Sequence, residues 1–359
     1  MAGAGGDGET VRNKKVVLRR YVTGSLTVGD MEVITSAVRP RVPPGTPAPA
    51  VMVKNLYLSC DPWMRGRMTK HDDGDDVALA TDFALGEAMV NYTVGKVVDS
   101  THPGFAAGDL VWGMSGWEEY SLVTQPAETL HKINYPNLPL SYYTGVLGMT
   151  GLTAYAGLFE VGKAKSGDTV YVSAASGAVG QVVGRLAKIA GCYVVGSAGS
   201  DEKVALLKTR LGFDDAFNYK AEAGDLAGAL RRRLPGGGGI DVYFDSVGGA
   251  TLDAALLNMR LGGRVVVCGM ISQYNLEEPE GVRNLVSVIA KRVRIEGFSV
   301  FDHFGAYARF EREMAGHLAE GKVAVVEDVV EGIDAAPGAL VGMFSGRNTG
   351  KLSVAVAKE

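Results

Sequence analysis

Cysteine is scarce in this chain: Cys60, Cys192 and Cys268 are the only three in 359 residues, and no two form a CxxC pair. That excludes a four-cysteine zinc site within the chain and argues against a disulfide framework; it fits a reducing compartment. Cys192 and Cys268 fall in strand-like runs and read as core residues. Histidine is sparse too. His71, His102, His131, His303 and His317 show no ligand-like pairing, so each reads as a solvated or locally bonded side chain. Long apolar runs are missing, and nothing approaches the ~18 residues that mark a membrane span. Strong charge is missing as well. A net charge of −4 gives no electrostatic case for nucleic acid or an anionic membrane. The one dense basic spot, Arg231-Arg232-Arg233, closes an expected helix before Pro235, where cations complement the helix dipole. The stretch from Met1 to Asn13 lacks the apolar core of a signal peptide and the Arg/Ser-rich, acid-poor character of a transit peptide. It reads as a flexible tail on a cytoplasmic protein.

What is present is a globular composition, 47% hydrophobic and 21% charged, in a chain long enough for two domains. The first third shows short strands separated by Gly, Pro and Asp turns: Lys14 to Tyr21, Ala50 to Leu58, Val90 to Val98, and another after Gly108-Asp109. Pro40 to Pro49 reads as an extended connection. Cys60 to Arg65 reads as a turn, and His71 to Asp76 as a solvated acidic loop. The texture changes near Ser141. A packed helix is expected over Leu147 to Phe159, followed by alternating strands and helices, the pattern of a doubly wound parallel sheet. After a helix over Phe310 to Glu320, strands at Val323 to Val330 and Leu352 to Val356 resemble the first third again.

The βα rhythm is densest between Thr169 and Lys203. The strand Thr169 to Ser173 runs into Ala174-Ala175-Ser176-Gly177-Ala178-Val179-Gly180, then an apolar helix and a second strand ending at Gly196. A glycine-rich strand-to-helix turn lets backbone approach a pyrophosphate and aims helix N-terminal amides at it. NAD sites carry an acid about 20 residues past the turn, where it meets the ribose 2′-hydroxyl. Here that region is Gly196-Ser197-Ala198-Gly199-Ser200, small and neutral, with Lys203 in the next helical turn. A 2′-phosphate meets no like charge there and finds a cation. The pattern therefore points to NADP. Asp201 and Glu202 read as first-turn acids serving the helix dipole.

The segment from Ala174 to Lys203 resembles the medium-chain dehydrogenase/reductase superfamily. Asn55 to Pro62, Trp117 to Tyr120, Pro139 to Gly145, Gly212 to Lys220, Cys268 to Asn275 and Gly346 to Lys351 extend the likeness. Together they resemble its zinc-free plant NADP-dependent alkenal double bond reductases, relatives of the leukotriene B4 dehydrogenase/prostaglandin reductases. The resemblance covers roughly residue 14 to the C-terminus. It implies an α/β fold: a Rossmann doubly wound parallel sheet over 141–310, plus a GroES-like β-rich catalytic domain built from 14–140 and 311–359. It also implies a cofactor and substrate cleft between these domains, a homodimer, and a place in plant secondary metabolism. Zinc-dependent members place a Gly-His-Glu after an early cysteine; the region around Gly86-Glu87-Ala88 has no histidine, so no metal is expected.

Without zinc to polarise an alcohol, the chemistry expected is hydride addition from NADPH to the β-carbon of an α,β-unsaturated aldehyde or ketone. An enolate results, and it needs a hydrogen-bond donor. Tyr274 is the candidate, because it follows a strand at the C-terminal sheet edge. A packed aromatic with a satisfied hydroxyl is the bland alternative. Tyr92 and Trp63 are the candidate pocket residues. Trp63 stands where plant relatives commonly have tyrosine. By resemblance the cofactor also meets Met64 and Arg65 from the catalytic domain; for Arg65 a surface ion pair is the alternative. In the Rossmann domain the contacts are Ala174, Ser176, Gly177, Ala178, Val179, Gly180, Ser197, Lys203 and Tyr219. Ser246 joins them in place of the usual Asn, with Cys268, Gly269, Met270, Ile271, Ser272, Phe298 and Val300, and the 311–359 segment adds Asn348 and Gly350. A quinone or carbonyl reductase of the same fold, and a non-catalytic NADPH-binding protein, are the alternatives.

Overall fold

The computed structural model describes residues 9–72 and 81–358. Residues 1–8 of the expected tail and 73–80, which include the end of the expected acidic loop, lie outside the described residues. The chain divides into two compact units. One runs up to Thr144 and takes in Val329–Met343 and the segment from Leu352 onward; the other comprises Gly145–Asp328 and Phe344–Lys351.

The first unit opens with β1 (Val11–Leu18) paired antiparallel to β2 (Met31–Val38). Residues 11–13 thus belong to a strand and not to a tail. The physical reason is Asn13, which is buried with its Nδ2 donating to Glu118 Oε2 at 2.9 Å and to the Tyr120 carbonyl at 3.0 Å. Next come β3 (Val51–Ser59), β4 (Val90–Ser100), β5 (Leu110–Gly116), β6 (Tyr120–Val123), a single turn α1 (Pro126–Thr129) and β7 (Leu130–Lys132). All their pairings are antiparallel. Their inward valines, Val51, Val53, Val97, Val111 and Val123, form one apolar cluster with Leu130. β-branched side chains suit this pleated surface. Between β3 and β4 the expected turn at Cys60–Arg65 is instead a 3-10 helix, Pro62–Met68, begun by a proline whose fixed φ favours a helical start.

In the second unit, α2 (Met149–Tyr155) passes directly into a π-helical stretch, Ala156–Val161. The widened turn lies where Gly157 meets the Phe244 and Phe298 rings; a Cβ there would come within 2.6 Å and 2.7 Å of them. Strand and helix then alternate: β8 (Thr169–Val172), α3 (Ala178–Ile189), β9 (Tyr193–Ala198), α4 (Asp201–Thr209), β10 (Asp215–Asn218), α5 (Leu226–Arg231), β11 (Ile240–Asp245), α6 (Gly249–Asn258), β12 (Met259–Val267), α7 (Val286–Lys291) and β13 (Arg294–Gly297). The six strands are all parallel, in the order β10-β9-β8-β11-β12-β13. The arginine run at the end of α5 is ion-paired: Arg232 and Arg233 both reach Glu222.

The C-terminal part departs from the expected boundaries. Helix α8 (Tyr307–Ala319) belongs to the second unit, with Phe310 fully buried and the Tyr307 hydroxyl donating to the Leu147 carbonyl at 2.9 Å. The chain returns to the first unit only at Val329, within β14 (Glu327–Glu331), and continues through α9 (Ala336–Phe344). Strand β15 (Lys351–Ala355) then inserts between β14 and β3. Gln181 explains the later boundary. Its buried amide donates to the Val326 carbonyl and accepts from the Val326 amide, both at 2.9 Å, binding residues past 310 to α3. Among the described residues no helix is long and apolar enough to cross a membrane.

Candidate active site

Strands β8 and β11 lie side by side, with β9 and β10 beyond one and β12 and β13 beyond the other. The strand order therefore reverses between them, and open α/β sheets bind ligands beyond the strand ends at such a point. The turns leaving the two strands are joined: the Ser246 amide donates to Ser173 Oγ at 3.0 Å.

The turn after β8 is shaped by close approach. Ala174 sits at φ 46°, a left-handed conformation uncommon for a residue with a Cβ, and its carbonyl accepts from the Gly177 amide at 2.9 Å. A Cβ on Gly180 would come within 2.5 Å of that carbonyl and 2.7 Å of Ala175 Cα. Glycine is required there for helix to meet strand. No side chain caps α3, whose N-cap is Gly177, so Ala178, Val179 and Gly180 present amides at the positive end of the helix dipole.

The end of the chain completes this turn. The Gly350 amide donates to the Ser176 carbonyl at 3.0 Å, and Gly350 bridges Gly177. A Cβ on Gly350, at φ 80°, would collide with the Val326 carbonyl. Asn348 Nδ2 donates to the Gly350 carbonyl at 2.9 Å. Lys203, one turn into α4, donates from Nζ to the Gly346 carbonyl at 2.6 Å. Burial, then the nearby Lys220 ammonium, lowers its pKa, while Asp328 opposes them. Tyr219 lies exposed beside Gly199; a Cβ there would sit 3.3 Å from the Tyr219 hydroxyl. Ser197 is different. Its buried hydroxyl pairs with the Tyr171 hydroxyl at 2.8 Å, so its side chain is committed to the core.

Across the switch point, the turn after β11 carries the loop after β12. The Asp245 carbonyl accepts from the Cys268 and Gly269 amides at 2.8 and 3.1 Å. The Ser246 carbonyl accepts from Ile271 at 3.1 Å, and that of Val247 from the Ser272 amide at 3.2 Å. Asp245 itself is fully buried. Its Oδ1 accepts from the Tyr243 hydroxyl at 2.6 Å and from the Val247 and Gly248 amides at 2.9 Å each. Burial raises its pKa despite these donors. It also pushes the Cys268 thiol up to about 12, which leaves that cysteine unreactive. Tyr274 ends the loop, its hydroxyl oxygen accepting from the Met270 amide at 3.1 Å. Burial raises the phenol pKa, so the ring stays protonated at neutral pH. Phe298 meets Phe244 edge-on, centroids 6.4 Å apart, and Val300 begins the 3-10 helix Val300–Ala306.

The other candidates lie in the first unit. Met64 is fully buried against Asn91, whose Nδ2 reaches the Ser59 carbonyl at 2.8 Å and Asp61 Oδ2 at 2.9 Å. Arg65 is no surface ion pair. It is 4% exposed and donates to the Val22 and Gly24 carbonyls and to Thr69. Tyr92, on β4, stacks on Trp112 at 5.8 Å, and burial followed by the nearby Asp61 raises its phenol pKa. The Trp63 ring carries the Arg67 guanidinium 5.2 Å from its centroid. Asp245 and Lys220 escaped the sequence reading of the site. The first directly precedes Ser246, and the second directly follows Tyr219.

Among the described residues no group of three or more His, Cys, Asp or Glu side chains could hold a metal ion. His71 instead pairs with Asp82 at 2.6 Å, and His303 with Glu160 at 2.8 Å. The cradle around Gly180, the uncapped α3 and the two lysines do fit a phosphorylated dinucleotide.

Residues 178–317 match a family described as zinc-binding dehydrogenase, and residues 14–133 match the N-terminal domain of oxidoreductase. An NADP-dependent 2-alkenal reductase of Nicotiana tabacum is 56% identical, over 98% of this chain and 99% of its own. A (+)-pulegone reductase of Mentha piperita is 50% identical, over 97% and 100%. Among solved structures, CurA of Vibrio vulnificus in complex with NADPH superposes with a TM-score of 0.84 at 35% identity, covering 96% of this chain and all of that one.

Proposed function

The chain belongs to the zinc-free branch of the medium-chain dehydrogenases/reductases, among the NADP-dependent alkenal double bond reductases, and from that premise we propose that it reduces the C=C bond of α,β-unsaturated aldehydes and ketones. The observation that carries this reading is near-full-length identity with the two relatives above, one named for alkenals and one for pulegone. Bound NADPH supplies the hydride for the β-carbon. Ala174 to Gly180, Lys203 and Tyr219 bind the phosphorylated part of the cofactor. The loop from Cys268 to Ser272 would flank its nicotinamide half, with Ser246, Phe298, Val300, Asn348 and Gly350. As the substrate becomes an enolate, charge gathers on the carbonyl oxygen. Tyr274, kept protonated by burial, donates a hydrogen bond to that oxygen and can pass a proton onward. Its hydroxyl already accepts from Met270, which leaves the hydrogen for the substrate. Trp63 and Tyr92 contact the substrate as flat apolar walls.

One substrate panel tests this. 2-Alkenals, enones, saturated aldehydes and quinones are assayed with NADPH and NADH in parallel. The reading expects NADPH oxidation with enals or enones and none with saturated aldehydes. Faster turnover of quinones than of any enal supports a quinone reductase instead, and tight NADPH binding without turnover supports a non-catalytic role.

We further propose a cytoplasmic homodimer. No disulfide forms among the described residues. The second edge of β13 pairs with no other strand among the described residues, and all four of its residues are exposed. Val286 and Ile289 on α7 stand 70% and 79% exposed nearby in sequence. An open strand edge with apolar neighbours needs a cover. Antiparallel self-pairing centred on Ile295 sets Arg294 of each copy against Glu296 of the other, which makes the edge self-complementary, as a two-fold interface requires.

A further inference from the structure

We infer that Lys220 is a second cation for the adenosine 2′-phosphate, acting beside Lys203 to set the preference for NADP over NAD.

Gly199 lies just past the end of β9, in the neutral Gly196–Ser200 stretch. A Cβ there would sit 3.3 Å from Lys220 Cε as well as 3.3 Å from Tyr219 Cε1 and its hydroxyl. The exposed Lys220 arm therefore lies along Gly199. Its backbone is fixed in that place: the Lys220 amide donates to Asn218 Oδ1 at 3.1 Å, and Asn218 Nδ2 donates to Asp201 Oδ1 at 2.9 Å. This chain of contacts does two things. It holds Lys220 just past the end of β10, and it engages the Asp201 carboxylate with the Asn218 amide. No carboxylate among the described residues pairs with Lys220, whereas Lys188 and Lys208 each have an aspartate.

Lys203 approaches from α4. Its Nζ is anchored on the Gly346 carbonyl, and it senses Lys220 as a like charge. Asp328 attracts Lys203 but already accepts from the Thr349 amide at 3.1 Å. Two ammonium groups brought together without a dedicated counter-ion repel each other, and a dianion removes that repulsion. A phosphate monoester between them gains two charge-assisted contacts and the Tyr219 hydroxyl. An unphosphorylated ribose gains none of these. Gly199 is the condition for the arrangement, since any larger residue would push Lys220 and Tyr219 outward.

The test is a pair of variants, Lys220→Met and Lys220→Arg, assayed with one good enal and each cofactor. Lys220→Met is expected to raise KM for NADPH about tenfold while KM for NADH stays nearly constant, and Lys220→Arg to restore most of the difference. Competitive inhibition provides a second reading: adenosine 2′,5′-bisphosphate should weaken about tenfold as an inhibitor of Lys220→Met, and AMP should not change. An unchanged ratio of NADPH to NADH KM, or an equal rise in both, overturns the assignment.

Discussion

The Met270 amide donates to the Tyr274 hydroxyl across 3.1 Å, within a loop whose own amides rest on Asp245, Ser246 and Val247. The phenol oxygen is thereby oriented while its hydrogen stays uncommitted among the described residues. Tyr274→Phe removes the donor and keeps the ring. It should lower kcat for enal reduction about 10²-fold, with NADPH affinity by fluorescence titration nearly unchanged. Equal turnover by wild type and variant would remove Tyr274 from the chemistry.

The same phenol bears on pH. Its raised pKa keeps the active, protonated form to higher pH than an ordinary tyrosine, which ionises near ~10. The kcat profile should therefore show no loss through that region from this group. A fall centred at the ordinary value, present in wild type and absent in Tyr274→Phe, would contradict the burial seen here.

Gly180 permits the approach of α3 to the turn after β8. Gly180→Ala places a methyl group 2.5 Å from the Ala174 carbonyl, and the overpacking should cost about 1–3 kcal/mol. Urea denaturation measures that loss, and NADPH binding should weaken with it. Lys203→Ala gives up one bond, to the Gly346 carbonyl. It should lower stability by only about 1 kcal/mol and raise KM for NADPH about tenfold more than for NADH.

Tyr171 and Tyr243 stack at 4.8 Å, both fully buried, and burial raises both pKa values. In the unfolded chain each would ionise near ~10. Their contribution is therefore whole below that pH and is lost as pH climbs from there toward the folded values, by about 1.4 kcal/mol per unit per tyrosine. Urea titrations between pH 8 and 11 should show a falling midpoint, and Tyr171→Phe should flatten the fall.

The proposed dimer makes a charge-reversal prediction. Glu296→Arg should set like charges against Arg294 of the second copy and yield monomers by light scattering. Adding Arg294→Glu should restore the dimer. A monomeric wild type, or a dimer indifferent to both changes, would dismiss the β13 interface.

Most of the fold is legible in the sequence because its signals are local. The strand over Thr169 to Ser173, the glycine turn and the neutral Gly196–Ser200 stretch each carry their own periodicity or chemistry. What was hidden depends on distant partners. Asn13 looks like part of a polar tail until Glu118 and Tyr120 bond it. Helix α8 carries no mark of its unit, which is decided by Phe310 and Tyr307 packing. Ser197 has the right spacing for the cofactor, yet Tyr171, on a neighbouring strand, claims its hydroxyl. Asp245 precedes the residue that motif reasoning selects, and only burial and its donors distinguish it.

Gly350 sits 170 residues or more after the glycine turn it completes, and Gly346 holds Lys203 from the same late segment. The order of synthesis follows from this. The six-stranded sheet can be fully made while the cofactor turn still lacks a wall, and a nascent chain halted before residue 350 would carry a Rossmann sheet with an unfinished site. Firm retention of NADPH then becomes a mark of a chain synthesised past residue 350.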